Sequence, residues 1–295
     1  MNVKKNMSED LARKILGKKE YAEQYLLELF QIKKITLKIK TVSRGANKGE
    51  VRLNCTTKEI WEKVVAEWDY DSALKIVRKL FRTTEKYKNG KSANDAMDIL
   101  IKEWNELKLD EIEWPFSQGD FDGFVQRINS EKINGIEKDD KVKKAAVKYR
   151  RIKEINTVRN DFIETLIFEK NDSILPTLTH RRGVDFYING ESFDQKVAKS
   201  PTKQFKDKYG KGWVDVAINN PEIVAEYLYK YQDEGRFGSD SRLLIVYLNE
   251  EIRIERIKEI LDNSNLNEPI EVNFTYDHSI GSKSYKVSCY IILLY

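Results

Sequence analysis

The sequence predicts a mixed α/β protein in two parts: residues 1–135, mostly helical with one β-hairpin, and residues 136–295, a mixed sheet flanked by helices. Three observations predict this class. Asn189-Gly190 separates two segments in which apolar and polar residues alternate, and both residues tolerate the positive φ of a two-residue hairpin turn. A long stretch with helical apolar spacing, 141–169, precedes that hairpin. After it, Arg242 opens an apolar run to Leu248, as in a strand covered on both faces.

The elements follow in order. Residues Ser8–Leu16 and Lys19–Phe30 carry apolar side chains at helical spacing, including Tyr21, Tyr25, Leu26, Leu29 and Phe30. Segments 35–42 and 50–55 alternate as strands do, joined by the basic, glycine-containing connector 43–49. Thr56-Thr57-Lys58-Glu59 has the capping-box pattern and opens a helix with Ile60, Val64 and Val65 on one stripe. Helices are expected at 71–81 and 93–107, then an acidic, irregular stretch around Trp114-Pro115. A boundary is expected between about 125 and 140, where Ile133-Asn134-Gly135 interrupts the periodicity. Beyond the helix at 141–169 come a first strand at 173–180, the Asn189-Gly190 hairpin, and a Lys-rich segment, 199–213, read as a mobile loop. A helix at 221–233, the strand at 242–248, a helix at 250–261 and strands at 269–276 and 285–295 complete the chain.

Composition narrows the classes of function. With 40% apolar and 34% charged residues in 295, the chain can bury a core and is not of disordered type. No apolar run approaches the roughly 18 residues that span a bilayer, and the N-terminus lacks a signal-peptide core. Cys55 and Cys289 are too few for a disulfide framework, so a reducing cytoplasm is the expected location. Two histidines, His180 and His278, make a His-ligated zinc hydrolase hard to build. Charge is segregated: residues 1–91 carry 22 Lys and Arg against 12 acids, 92–140 carry 5 against 13, and 141–295 carry 25 against 23. Eight of the residues in 141–160 are Lys or Arg against one Glu. Basic blocks of this kind supply the phosphate contacts of a polyanion-binding protein, and they also serve as plain solvated helix faces.

The hairpin carries the chemistry. A two-residue loop sets Ile188 across from Glu191, Tyr187 from Ser192, Phe186 from Phe193 and Asp185 from Asp194. Val184, Phe186, Ile188, Phe193 and Val197 then share one face, and Asp185, Asp194 and Lys196 the other. Like charges directly opposite are destabilising, and a divalent ion bridging them reverses the sign. All-oxygen ligands suit a hard ion, Mg²⁺ with Mn²⁺ as substitute, which activates water and steadies charge on a phosphodiester. A merely solvated outer face is the competing reading.

The arrangement resembles the PD-(D/E)XK nuclease superfamily, which includes most type II restriction endonucleases: an acid on one strand, then acid-x-Lys on the next. Here these are Asp185 and Asp194-Gln195-Lys196, with Val184 where the family's Pro stands and Gln195 where an apolar residue is usual. The resemblance spans roughly residues 141–250 and implies a core of helix, three-stranded meander, helix and strand. It implies that Asp185, Asp194 and the carbonyl of Gln195 hold the metal and that Lys196 orients the attacking water. It also implies a further carboxylate from the preceding helix, Glu164, with Asp161 and Glu169 as alternatives, and products with a 5′-phosphate and a 3′-hydroxyl. The expected protein is an endonuclease on double-stranded DNA, a homodimer of restriction type, with residues 1–135 as a sequence-reading module. Contacts to DNA are expected from Arg44, Lys48, Arg181, Arg182, Lys199, Lys203, Lys206, Lys208 and Lys211. The alternatives are a phage, recombination or defence nuclease on branched or single-stranded DNA, and a non-catalytic DNA-binding protein of the same fold.

Overall fold

The computed structural model describes residues 2–37, 42–44, 51–88, 93–106, 118–179, 183–231, 240–249, 251–264, 266–278 and 281–295. They form two compact units, 1–89 with 166–295, and 90–165. The units are thus drawn differently from the single boundary expected near 135, because the first 89 residues pack with the C-terminal half. Arg78 explains much of this. Its buried guanidinium donates to the carbonyls of Phe168, Asn171 and Ile174 at 2.8–3.1 Å, so three backbone acceptors about ninety residues away depend on one side chain. At the other end, the N–H of Val3 donates to the carbonyl of Gly190 at 2.9 Å and Leu178 N–H to Ile15 at 2.8 Å.

The N-terminal part of the first unit comprises α1 (Glu9–Leu16), α2 (Lys19–Ile32), β1 (Val42–Arg44), β2 (Val51–Leu53), α3 (Thr57–Glu67) and α4 (Tyr70–Phe81). Three of the four helix starts carry a side-chain cap; α2, entered from Lys18, has none. Ser8 caps α1, Thr56 and Glu59 close a reciprocal capping box on α3, and Asp69 caps α4 through Ser72 N–H at 2.9 Å. The capping bonds hold the Glu59 and Asp69 carboxyls below the usual carboxylate range. Leu11, Ile15, Tyr25, Leu26, Trp61, Val64, Ile76 and Val77 supply the buried stripes. Strands β1 and β2 pair antiparallel as a hairpin, but β1 lies at Val42–Arg44, mostly within the expected connector 43–49, and residues 35–37 of the expected strand are not extended into the ladder. The buried Glu23 accepts the N–H of Leu53, tying the hairpin to α2.

The second unit holds α5 (Ala93–Glu106), α6 (Gln118–Ser130) and most of α7 (Gly135–Lys170), whose last residues, 166–170, belong to the first unit. The expected break at Ile133-Asn134-Gly135 separates α6 from α7, with Asn134 accepting the N–H of Glu137 at 2.9 Å as a cap. Phe121 stacks on Tyr149 at 5.2 Å, and Lys141 pairs with Glu131 at 2.8 Å.

A six-stranded mixed sheet forms the C-terminal part of the first unit. Its elements are β3 (Ile174–Pro176), β4 (Phe186–Ile188), β5 (Glu191–Ala198), α8 (Lys203–Tyr209), α9 (Trp213–Asn219), α10 (Pro221–Lys230), β6 (Arg242–Tyr247), α11 (Ile254–Asn263), β7 (Ile270–His278) and β8 (Gly281–Leu294). The strand order is β3-β4-β5-β6-β8-β7, with β5–β6 and β6–β8 parallel and the remaining pairs antiparallel. Every residue of β6 is buried, as an apolar central strand requires. Leu244, Val246, Cys289 and Leu293 meet Phe205, Ala217, Val224, Ala225 and Tyr229 in one cluster, so helices α8 to α10 close over the sheet. In consequence the Cys289 thiol is pushed up to about 12 by burial.

A further expectation is corrected. The segment 199–213, read as a mobile loop, is largely helical: α8, then a 3₁₀ turn over Gly210–Gly212, then the start of α9. Thr202 caps α8 through Phe205 N–H at 3.2 Å, and Phe205 is fully buried against Tyr209 and Tyr227. Its aromatic residues are packing anchors, which outweighs the loop-like Lys and Gly content.

Candidate active site

The turn that positions the site has the expected chemistry. Asn189 has φ 53° and Gly190 φ 88°, the pair of positive values that a type I′ turn needs. A side chain at Gly190 would also meet Asn2, since a Cβ there would lie 2.7 Å from Asn2 Oδ1. The N-terminus therefore packs directly on the turn, with Asn2 donating to Glu191 Oε1 at 2.7 Å.

The register follows from that turn through three pairs: Ile188 with Glu191, Tyr187 with Ser192, Phe186 with Phe193. The fourth expected pair, Asp185 with Asp194, is not part of the ladder. Asp185 N–H donates to the Phe193 carbonyl at 3.0 Å, one residue out of register, in the manner of a β-bulge that re-aims a side chain. Asp185 Oδ2 accepts the backbone N–H of Gln195 at 2.7 Å. The carboxylate takes the place of a ladder carbonyl and so reaches β5 beside Asp194. Fully buried Thr177 fixes it from the other side, its N–H and Oγ1 both donating to the Asp185 carbonyl at 3.1 and 3.2 Å.

Strand β5 changes partner at this point. Its first residues pair with β4, and from Asp194 onward it runs parallel to β6, Asp194 opposite Arg242 and Lys196 opposite Leu244. That register sets a guanidinium beside the carboxylate. Arg242 Nη1 lies 2.7 Å from Asp194 Oδ2, and Lys196 Nζ lies 2.9 Å from the same oxygen. The Arg242 side chain is 4% exposed and that of Lys196 is 44% exposed. Burial pushes the Arg242 guanidinium below its ordinary value while Asp194 pulls it back up; an arginine stays charged regardless. Gln195 is buried on the opposite face, and its Oε1 has no hydrogen-bond partner among the described residues.

The other sequence-predicted residues divide by position. Glu164 is buried on α7 and belongs to the 90–165 unit, whereas the acidic pair belongs to the other. Arg44 ends β1, and its side chain lies outside the described residues, as do Lys48, Arg181 and Arg182. Lys199 follows β5 and is partly exposed; Lys203 and Lys211 are exposed at the start of α8 and in the 3₁₀ turn. Lys206 Nζ contacts Ser200 Oγ at 3.2 Å and lies 5.8 Å from the Trp213 ring. Lys208 lies over Tyr209 and Tyr227 at 5.1 and 5.5 Å. Two residues were not found from sequence: Arg242, whose signal was a charge heading an apolar strand, and Thr177, which gave none.

Asp185 and Asp194 offer oxygen only, the donor type of a hard divalent ion, but no group of three or more His, Cys, Asp or Glu that could hold a metal ion occurs among the described residues. Two carboxylates completed by backbone and water oxygens are what Mg²⁺ takes from a protein. Among known proteins, the chain matches no family model, no curated protein and no solved structure. No helix among the described residues is long and apolar enough to cross a membrane.

Proposed function

We propose that the protein is a Mg²⁺-dependent endonuclease acting on double-stranded DNA, of type II restriction character and working as a homodimer. One observation carries the reading: the Asp185 carboxylate reaches the backbone of β5 at Gln195, beside an Asp194-x-Lys196 triplet whose ammonium lies 2.9 Å from its own carboxylate. The order of elements supports it. Helix α7, the β3-β4-β5 meander, the helices α8 to α10 and a parallel β6 follow the sequence of parts that the nuclease resemblance implies.

Asp185 and Asp194 would hold the ion, with the Gln195 carbonyl as a further donor; Mg²⁺, or Mn²⁺ in its place, would supply Lewis-acid charge and a more acidic water. Thr177 keeps Asp185 in place. Lys196, half exposed, presents a positive charge where a phosphate oxygen gains negative charge. Lys199 after β5, Lys203, Lys206 and Lys208 on α8, and Lys211 in the 3₁₀ turn would track the phosphate backbone, a salt-sensitive contact that carries no sequence information.

A second reading, a DNA-binding protein without catalysis, is favoured by the two cations already on Asp194 Oδ2, which neutralise the triplet without a metal. Incubating supercoiled plasmid with and without Mg²⁺ separates the readings. Discrete fragments with Mg²⁺ support restriction and a smear supports a nonspecific nuclease. Intact plasmid with a retarded band supports binding alone.

A further inference from the structure

Two cations share one oxygen of Asp194, and their environments differ. Arg242 is buried at 4% exposure in the central strand, held opposite Asp194 by the parallel register, and approaches to 2.7 Å. Lys196 is 44% exposed on a flexible stem and approaches to 2.9 Å. Like charges converging on a single atom repel, so one of them is easily released. It is the half-exposed ammonium, which exchanges a carboxylate for water or phosphate at small cost, whereas a buried guanidinium has nowhere to go.

We propose that Arg242 is the fixed counter-ion of Asp194, and that its presence frees the Lys196 ammonium to leave that carboxylate for a scissile phosphate. Arg242 is a positioning residue: it touches neither substrate nor ion but holds Asp194 in place and neutralised when Lys196 moves. Without it, Lys196 becomes the sole partner of a buried carboxylate and is confined there. The phosphate part of this inference rests on the nuclease reading above; the division between the two cations does not.

A double-mutant cycle on stability tests it without reference to activity. Urea unfolding of the wild type, Lys196→Ala, Arg242→Met and the double variant gives four equilibrium constants. With Arg242 present, Lys196→Ala should change the unfolding constant by less than ~3-fold; in the Arg242→Met background it should change it by more than ~10-fold. Equal effects in both backgrounds overturn the proposal. If Arg242→Met does not fold, Arg242→Gln, which also lacks the charge, serves as the background, with the same larger Lys196→Ala effect expected and equal effects again overturning it. A kinetic measurement follows. Single-turnover cleavage at saturating DNA should fall at least ~10-fold in Arg242→Met, with partial rescue in Arg242→Lys, while DNA affinity in Ca²⁺ stays within ~3-fold. Unchanged cleavage in a folded Arg242→Met protein contradicts the proposal. If the wild type itself cuts no DNA, the nuclease reading fails, and the stability cycle still decides the role of Arg242.

Discussion

Asp194 is the residue on which the proposed chemistry turns, since one of its carboxylate oxygens meets two cations at once. Its neighbours act by known magnitudes. Lys196→Ala should lower cleavage by ~10²–10³-fold, the loss seen when one preorganised charge or donor is removed, and Asp185→Asn should abolish it while leaving a gel shift intact. Plasmid digestion beside the shift assay checks both, and undiminished cutting by either variant contradicts the assignment. The cysteines give a control unrelated to activity. A thiol held up at about 12 is fully protonated at pH 8, so buried Cys289 should resist a thiol reagent in the native protein while the partly exposed Cys55 reacts. Mass spectrometry after labelling reads which one is modified. At this scale the sequence was informative only where chemistry is local: the Asp194-Gln195-Lys196 triplet is contiguous. The partnership of Arg242 with Asp194 spans 48 positions and exists only through a parallel register, so no local pattern announces it.

Among the elements, turns and caps were the most legible parts because a few consecutive residues determine them. Asn189-Gly190 and the Thr56 to Glu59 box behave as their spacing predicts. Helix α8 is less legible, because five lysines and two glycines between 199 and 212 obscure the Thr202 cap and the Phe205–Tyr209 pair one turn apart. Phe205→Ala should therefore destabilise the protein by about 3–5 kcal/mol, through the cavity left among Tyr209, Tyr227 and the sheet cluster. Urea melts measure it, and a loss under about 1 kcal/mol would show that the helix is not anchored as described. Acid should loosen the N-terminal helices. The Glu59 and Asp69 carboxyls are held low by capping bonds, so their contribution is complete above their unfolded values near ~4 and fades as pH falls through the lower folded ones. Thr56→Ala should flatten part of that acid dependence and cost ~1 kcal/mol at neutral pH.

For the molecule as a whole, residues 1–89 and 166–295 form one compact unit. The change from basic to acidic composition near residue 91 falls at its edge, but no local pattern joins the two segments because the ties are long-range. Arg78 illustrates the reason: an ordinary-looking helix position whose guanidinium serves three carbonyls at Phe168, Asn171 and Ile174. Arg78→Met should cost at least ~2 kcal/mol, since those acceptors lose a charged donor. The N-terminal helices would then be part of the scaffold that holds the β3-β4-β5 meander, alongside any role in reading DNA. The claim on which the function rests is that Asp185 and Asp194 together hold a divalent ion. Calorimetric titration with Mn²⁺ in the absence of DNA tests it most directly. The account predicts one site per chain in the wild type that is lost in both Asp185→Asn and Asp194→Asn; a wild type that binds no ion, or variants that bind it equally well, would contradict it.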